Sequence, residues 1–312
     1  MGQLQEKKST RGRKLIHLFA LSFLLTNLVV TKAHASGAMK PDVDEEEVVD
    51  YQPGEGGENA TDPETPTNPT TPTDPTTPTN PTTPGKTDPT SLNAPWKNAN
   101  SSIVIDAYEG NGIDWNKIAT DSKVVGVIHR SSIGTRKDKT YDSRKKIAKD
   151  RGYLWGAYHL GYKGNVKAQA DLFLSIVNNE DDTLMILDLE DTGNGTFMTV
   201  DEAVQFMQYI YDKTGKIPVV YANHSTTLQL NTKVKNNPLF QQAKLWYARF
   251  KSNLTDYPAG IWPNYFLWQF SSEINCTKTG SCLYNVPGTS FDMDVNVFNG
   301  SRSDLVQQWN NH

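Results

Sequence analysis

Two carboxylates one residue apart end an apolar run in this sequence: "LMILDLEDTG", Leu184 to Gly193, carries Asp188 and Glu190 on either side of Leu189. If the run is a β-strand, alternation sends Asp188 and Glu190 to one face and Leu189 to the other. Their Cα atoms then stand about 6.5 Å apart, from a rise of roughly 3.3 Å per residue. Acids that close raise one another's proton affinity, so one of them can stay protonated near neutral pH. Glycoside hydrolysis needs such a group, because a general acid must protonate the leaving oxygen. A D-x-E pair alone is a weak signal, since acidic strand ends are common wherever a strand meets solvent.

The elements that would position the pair are legible along the chain. Eight β-rich runs occupy 102–107, 124–130, 154–160, 184–190, 217–223, 245–250, 265–270 and 293–298. Several are almost continuously apolar, as in strands covered on both faces. Helical patterns fall between them at 141–151 and 166–178. The clearest helix starts at Thr199, where Thr199-Val200-Asp201-Glu202 has capping-box spacing and Gly215 supplies a stop. The alternation predicts an α/β fold, a TIM-like (β/α) barrel with eight strands. Weak helical periodicity between the last three strands predicts fewer than eight outer helices, a (β/α)5(β)3 arrangement. A doubly wound open sheet is the alternative.

In a barrel of this kind the active site lies at the C-terminal strand ends. The polar residues expected there are Asp106, Tyr158, His159, Asp188, Glu190, Tyr221, Asn223, Tyr247, Arg249, Trp268, Gln269, Asp294 and Asn296. Carboxylates, aromatics and amides on one rim suit a saccharide cleft. Rings stack on apolar sugar faces, amides bond hydroxyls and carboxyls move protons. Each residue also has a plain structural explanation: Asp106 as a turn former, His159 as a satisfied core histidine, Trp268 as core. Three acidic strand ends on one rim outweigh those separate explanations. No G-x-S-x-G elbow, H-E-x-x-H pair, Walker-type loop or Cys-His nucleophile signature is present. His129, His159 and His224 lack metal-ligand spacing, so no metal is expected, and acid-base hydrolysis implies no organic cofactor.

Composition divides the 312 residues into three parts. Residues 1–35 read as a signal peptide: a basic start, the apolar "LIHLFALSFLLTNLVV", then the small-x-small site "AHA"; an uncleaved N-terminal anchor is the alternative, since the apolar run nearly spans a bilayer. Residues 36–98 read as a disordered acidic and Thr/Pro-rich linker, with too little apolar surface to offset ordering entropy. Residues 99–312 form the globular domain, with 22 acids and 22 bases. The net charge of −4 therefore says nothing about its ligand, and no basic patch argues for nucleic acid. The only cysteines, Cys276 and Cys282, predict one disulfide in an exported protein. A secreted, monomeric protein with no membrane attachment after signal cleavage is expected.

Taken in order, "IDAYEGNGIDW", "GAYHLGYKGNVKAQADLFL", "LMILDLED", "PVVYAN", "LWYARF", "YFLWQF" and "MDVNVFNG" resemble glycoside hydrolase family 25, the Chalaropsis-type lysozymes. The resemblance covers essentially all of 101–300. It implies an eight-stranded barrel that cleaves the β-1,4 bond between N-acetylmuramic acid and N-acetylglucosamine, with peptidoglycan glycan strands as partner. It also implies Glu190 as general acid, Asp188 assisting, and Asp106 and Asp294 as further acids, with net retention. The "D-x-N-x-F" context selects Asp294 over Asp292. The resemblance places Tyr158, Tyr247 and Trp268 in the saccharide cleft, which the rim list extends to His159, Tyr221 and Gln269. The segment from Asp106 to "IDW" is one residue shorter than the family pattern. A non-catalytic glycan-binding domain on a stalk and a chitinase-like hydrolase are the alternatives.

Overall fold

Apolar runs bounded by turn residues form eight strands: β1 (Ser102–Ala107), β2 (Val124–Ile133), β3 (Leu154–Leu160), β4 (Thr183–Leu189), β5 (Val219–Asn223), β6 (Leu245–Ala248), β7 (Leu267–Ser271) and β8 (Asp294–Phe298). The computed structural model describes residues 88–312 except Asn179, Asn194, Gly280, Ser281, Phe291, Asp292 and His312. The expected signal peptide, the linker up to residue 87 and Asp292 lie outside the described residues. From β1 to β7 neighbouring strands pair in parallel, in chain order. β8 runs antiparallel to both β7 and β1 and closes the sheet into a barrel. The open doubly wound sheet is thereby excluded.

Helices follow each of the first five strands: α1 (Trp115–Ile118), α2 (Tyr141–Asp150), α3 (Val166–Val177), α4 (Val200–Thr214), then α5 (His224–Lys233) with α6 (Pro238–Gln242). Among the described residues no helix lies between β6 and β7, and between β7 and β8 the one helix is the short α7 (Glu273–Thr279). This is the expected (β/α)5(β)3 arrangement. α4 starts where its sequence predicts, with both halves of the Thr199–Glu202 capping box formed. It ends at Gly215, whose φ of 70° would strain any residue bearing a Cβ.

Alternation sorts the strand side chains into two apolar groups. Val104, Ile128, Ile186, Tyr221, Trp246 and Leu267 share the barrel interior. Ile105, Val127, Leu187, Val220 and Tyr247 belong to the outer layer with Phe173, Phe206 and Met207 of the helices. A final helix, α8 (Arg302–Asn310), joins the inner group through Leu305 and Trp309, both fully buried. The Trp309 indole donates to the Trp155 carbonyl at 2.9 Å. At the interior position Gly156, a Cβ would stand 3.3 Å from the Trp309 ring and 2.9 Å from Ile128 Cγ1, so the indole takes that space. Lys244, just before β6, donates to the carbonyls of Gln308 and Asn311. α8 therefore stops the barrel at the end where the parallel strands begin.

The linker gives way to packed structure earlier than its expected end at 98. Ala94 donates its N–H to the Ser252 carbonyl at 2.7 Å, and Pro95 is buried. The Trp96 ring stacks on Phe270 at 5.4 Å and lies 6.5 Å from Tyr284. Leu92, Pro95 and Trp96 are apolar residues after a long polar tract, and Leu92 and Trp96 pack against the outer apolar layer of the barrel. Leu92 to Trp96 thus pack with the globular unit. A 99–312 fragment should melt on the order of 5 °C below an 88–312 fragment, from about 2 kcal/mol of lost aromatic packing. Equal melting temperatures in a thermal scan would contradict this.

Candidate active site

Among the described residues, the charged side chains of the interior face lie near one end. Alternation from Val104 turns Asp106 inward on β1, and alternation from Ile128 turns Arg130 inward on β2. On β4, Ile186 is inward, and so therefore is Asp188; Leu189 packs in the outer apolar layer with Met198 and Phe206. Glu190 follows directly after the strand, half-buried, its backbone carbonyl bonded by Thr226 Oγ1 at 2.9 Å. Because β8 is reversed, its first residue, Asp294, stands level with Asp106 in the register. The structure thus brings Asp106, Asp188, Glu190 and Asp294 to one mouth.

A polar network behind these carboxyls orients them. The Trp246 indole donates to Asn296 Oδ1 at 2.6 Å, and the Tyr221 hydroxyl donates to Gln269 Oε1 at 2.9 Å. An indole N–H can only donate, so the Asn296 amide must present its NH2 the other way. That NH2 reaches Asp106 Oδ2 at 2.7 Å, and Gln269 Nε2 reaches the same oxygen at 3.1 Å. Asp106 is therefore held as an acceptor by two amides whose own orientation is fixed by aromatic donors.

Asp188 is treated differently. Its Oδ1 is buried with no hydrogen-bond partner among the described residues. Burial pushes its proton affinity well up, the charges of Glu190 and Asp106 add to that, and Arg130 opposes it. Burial, then Asp106 and Asp191, push the Glu190 carboxyl up to about 7. Two such groups on one strand end cannot both ionise cheaply, so the pair keeps a proton between them near neutral pH. The arrangement can supply a proton donor beside an anion, inside a mouth lined by aromatics and amides.

Alternation corrects three of the expected sugar-binding residues. Tyr158, Tyr221 and Gln269 belong to the interior: Tyr158 meets Trp246 edge-on at 6.3 Å, and Tyr221 and Gln269 are hydrogen-bonded there. His159 faces the helices, stacked on Phe206 at 5.1 Å and bonded to Ser132 and Gln169, with burial holding its pKa at about 4. Tyr247 is fully buried in the outer layer, its hydroxyl 2.7 Å from His224 Nδ1. Trp268 is also outward, its indole donating to the Arg249 carbonyl at 2.7 Å. Adjacent strand residues cannot share a face, and with Trp246 and Gln269 inward, Tyr247 and Trp268 must point out. Trp246 and Arg130 are the interior residues that sequence reasoning passed over. Their signal was the same alternation, read from Ile128 and from Ala248. Cys276 and Cys282 form the expected disulfide between β7 and β8.

The model of the family Glycosyl hydrolases family 25 matches residues 105–279, more than half of the chain. The chain belongs to glycosyl hydrolases family 25. This family 25 chain is 26% identical over 223 residues to Lysozyme M1 of Streptomyces globisporus, covering 67% of this chain and 71% of that protein. Its fold is similar to the crystal structure of the bacterial lysozyme from Streptomyces coelicolor, with TM-score 0.54 and 24% identity over 67% of this chain and 97% of that one. The muramidase from Trichobolus zukalii is similar to the same degree, with TM-score 0.54 and 21% identity over 67% and 99% of the two chains. Family membership makes the chain a glycoside hydrolase, and the mouth just described is where its carboxyls converge.

Proposed function

We propose that this glycoside hydrolase is a peptidoglycan N-acetylmuramidase, exported by residues 1–35 and carried on the Thr/Pro linker. The observation that carries the reading is the Asp188–Glu190 pair at one strand end, one carboxyl buried and one half-buried, facing Asp106 and Asp294. Glu190 donates its proton to the bridging oxygen as the bond from that oxygen to muramic C1 breaks. The substrate's N-acetyl carbonyl oxygen bonds to C1 from the opposite face, and Asp188 orients that group and balances its positive charge. Water then adds to C1 as the bond from C1 to the N-acetyl oxygen breaks and its electron pair returns to the amide, and the water gives a proton to Glu190, which restores the acid and yields net retention. Asp106, held by Asn296 and Gln269, and Asp294 beside it add negative potential where C1 becomes cationic.

The test is mass spectrometry of the products released from purified peptidoglycan by the 88–312 protein. New muramic acid reducing ends are expected. No release at all would leave a glycan-binding domain, and activity on chitin alone would leave a chitinase-like enzyme. The raised Glu190 affinity adds a prediction about pH. The acid form, lost near pH 4.5 in an ordinary glutamate, persists to about 7 here. kcat/KM should therefore stay level up to about pH 7 and fall about tenfold per pH unit above it, as initial rates would show.

A further inference from the structure

The loop after β1, "DAYEGNGIDW", places an exposed tyrosine at the mouth. Tyr108 is 38% exposed, two residues beyond Asp106. Its ring centroid lies 4.8 Å from the guanidinium carbon of Arg130, the cation on the interior face beside the carboxyls. That guanidinium is fixed in turn, by Asp138 at 3.1 Å and Glu109 at 3.6 Å. The Tyr108 amide donates to Asn111 Oδ1 at 2.7 Å, and its carbonyl accepts from Arg144 at 2.8 Å. The ring also lies against Gly110, where a Cβ would stand 2.5 Å from Cε2, so only glycine allows this placement. Glu109 completes the clamp: its N–H donates to Asp138, and its carboxylate accepts from the Lys139 N–H at 2.9 Å.

An aromatic ring left partly in solvent yet held on several sides has little freedom to lose when a ligand arrives. The ordinary way to cover it is with a flat apolar surface, and the C–H face of a pyranose is one. We propose that Tyr108 is a specificity-determining residue of this enzyme, the platform on which a sugar ring of the glycan stacks beside the carboxyls. The proposal deepens the reading of the mouth as a saccharide cleft and rests on it.

The test uses Tyr108→Ala, Tyr108→Leu, Tyr108→Phe and Tyr108→Trp in the full chain, each with and without Glu190→Gln. Binding of a soluble tetrasaccharide of alternating N-acetylglucosamine and N-acetylmuramic acid is measured calorimetrically in the Glu190→Gln background. KM and kcat are measured without that background substitution. Tyr108→Ala and Tyr108→Leu should weaken binding about tenfold and act mostly on KM, while Phe and Trp hold binding within about twofold of wild type. Tyr108→Leu keeps apolar volume and guards against a folding defect in the Ala variant. Unchanged binding in a normally melting Leu variant would overturn the proposal, as would a Phe variant as weak as Ala, since the hydroxyl would then be the contact. If the wild type cleaves no glycan but binds it in a ring-dependent way, the hydrolase reading fails and the stacking role stands.

Discussion

Glu190→Gln is expected to lower kcat at least a thousandfold while leaving oligosaccharide binding within a few fold of wild type. Gln matches the shape of a protonated glutamate but has no proton to give to a leaving oxygen. The same substitution should stabilise the fold above neutral pH. The folded-state pKa of Glu190, about 7, lies above the ordinary 4.5, so the native state binds its proton more tightly than the unfolded chain does. The associated stability is present below pH 4.5 and is lost as pH rises through about 7. Gln does not titrate and escapes that loss. At pH 8 the variant should exceed wild type by on the order of 2 kcal/mol, and at pH 4 the two should converge. Thermal melts across that range check the stability arm. A variant with near-wild-type turnover would remove Glu190 from the role of acid.

Asp188→Asn is the second large effect, with an expected loss of about a hundredfold or more, concentrated in kcat. Asn keeps the volume and an acceptor oxygen at the buried site, but it cannot carry the charge that balances the cationic sugar. Because repulsion within the pair is mutual, removing the Asp188 charge should also loosen the Glu190 proton. The alkaline limb of kcat/KM should therefore move to lower pH. The buried Oδ1 without a partner adds a stability arm: a neutral amide is cheaper to bury than a carboxylate, so the variant should melt no lower than wild type at pH 7. A fall in kcat with the alkaline limb unmoved would mean that the two carboxyls do not share a proton.

Much of this architecture was legible from periodicity. The strand expected at 154–160 is Leu154–Leu160, and the one expected at 184–190 ends a single residue early. Such runs are buried on both faces, and few other structures tolerate that composition. The helix at Thr199 was readable because its signals are local: a cap, a repeat and a glycine. The D-x-E geometry was readable because Leu189 separates two acids on a two-residue period. The same rule, applied to "WY" at 246–247 and "WQ" at 268–269, would have chosen Trp246 and Gln269 and released Tyr247 and Trp268 to the outer layer. Arg130 hid inside an apolar strand, and its role depends on Asp138 and Glu109, which only the fold brings near. α8 left little trace because just two of its residues, Leu305 and Trp309, are buried, and its stability comes from the barrel it enters. The packed stretch before Ser102 was masked by the polar tract leading into it.

The reversed last strand and the helix behind it also set an order of events for folding. β1 finds one of its two neighbours only when Asp294–Phe298 arrives, some 190 residues later in the chain. The floor of the barrel closes when Leu305 and Trp309 of α8 pack into it. Contacts this distant in sequence make folding slow, because most of the chain must be confined before they form. A chain emerging from its N-terminus would remain an open parallel sheet, with β1 and β7 as unpaired edges, until its final residues were free. Shortened or stalled chains would carry those edges permanently and should associate through them rather than fold.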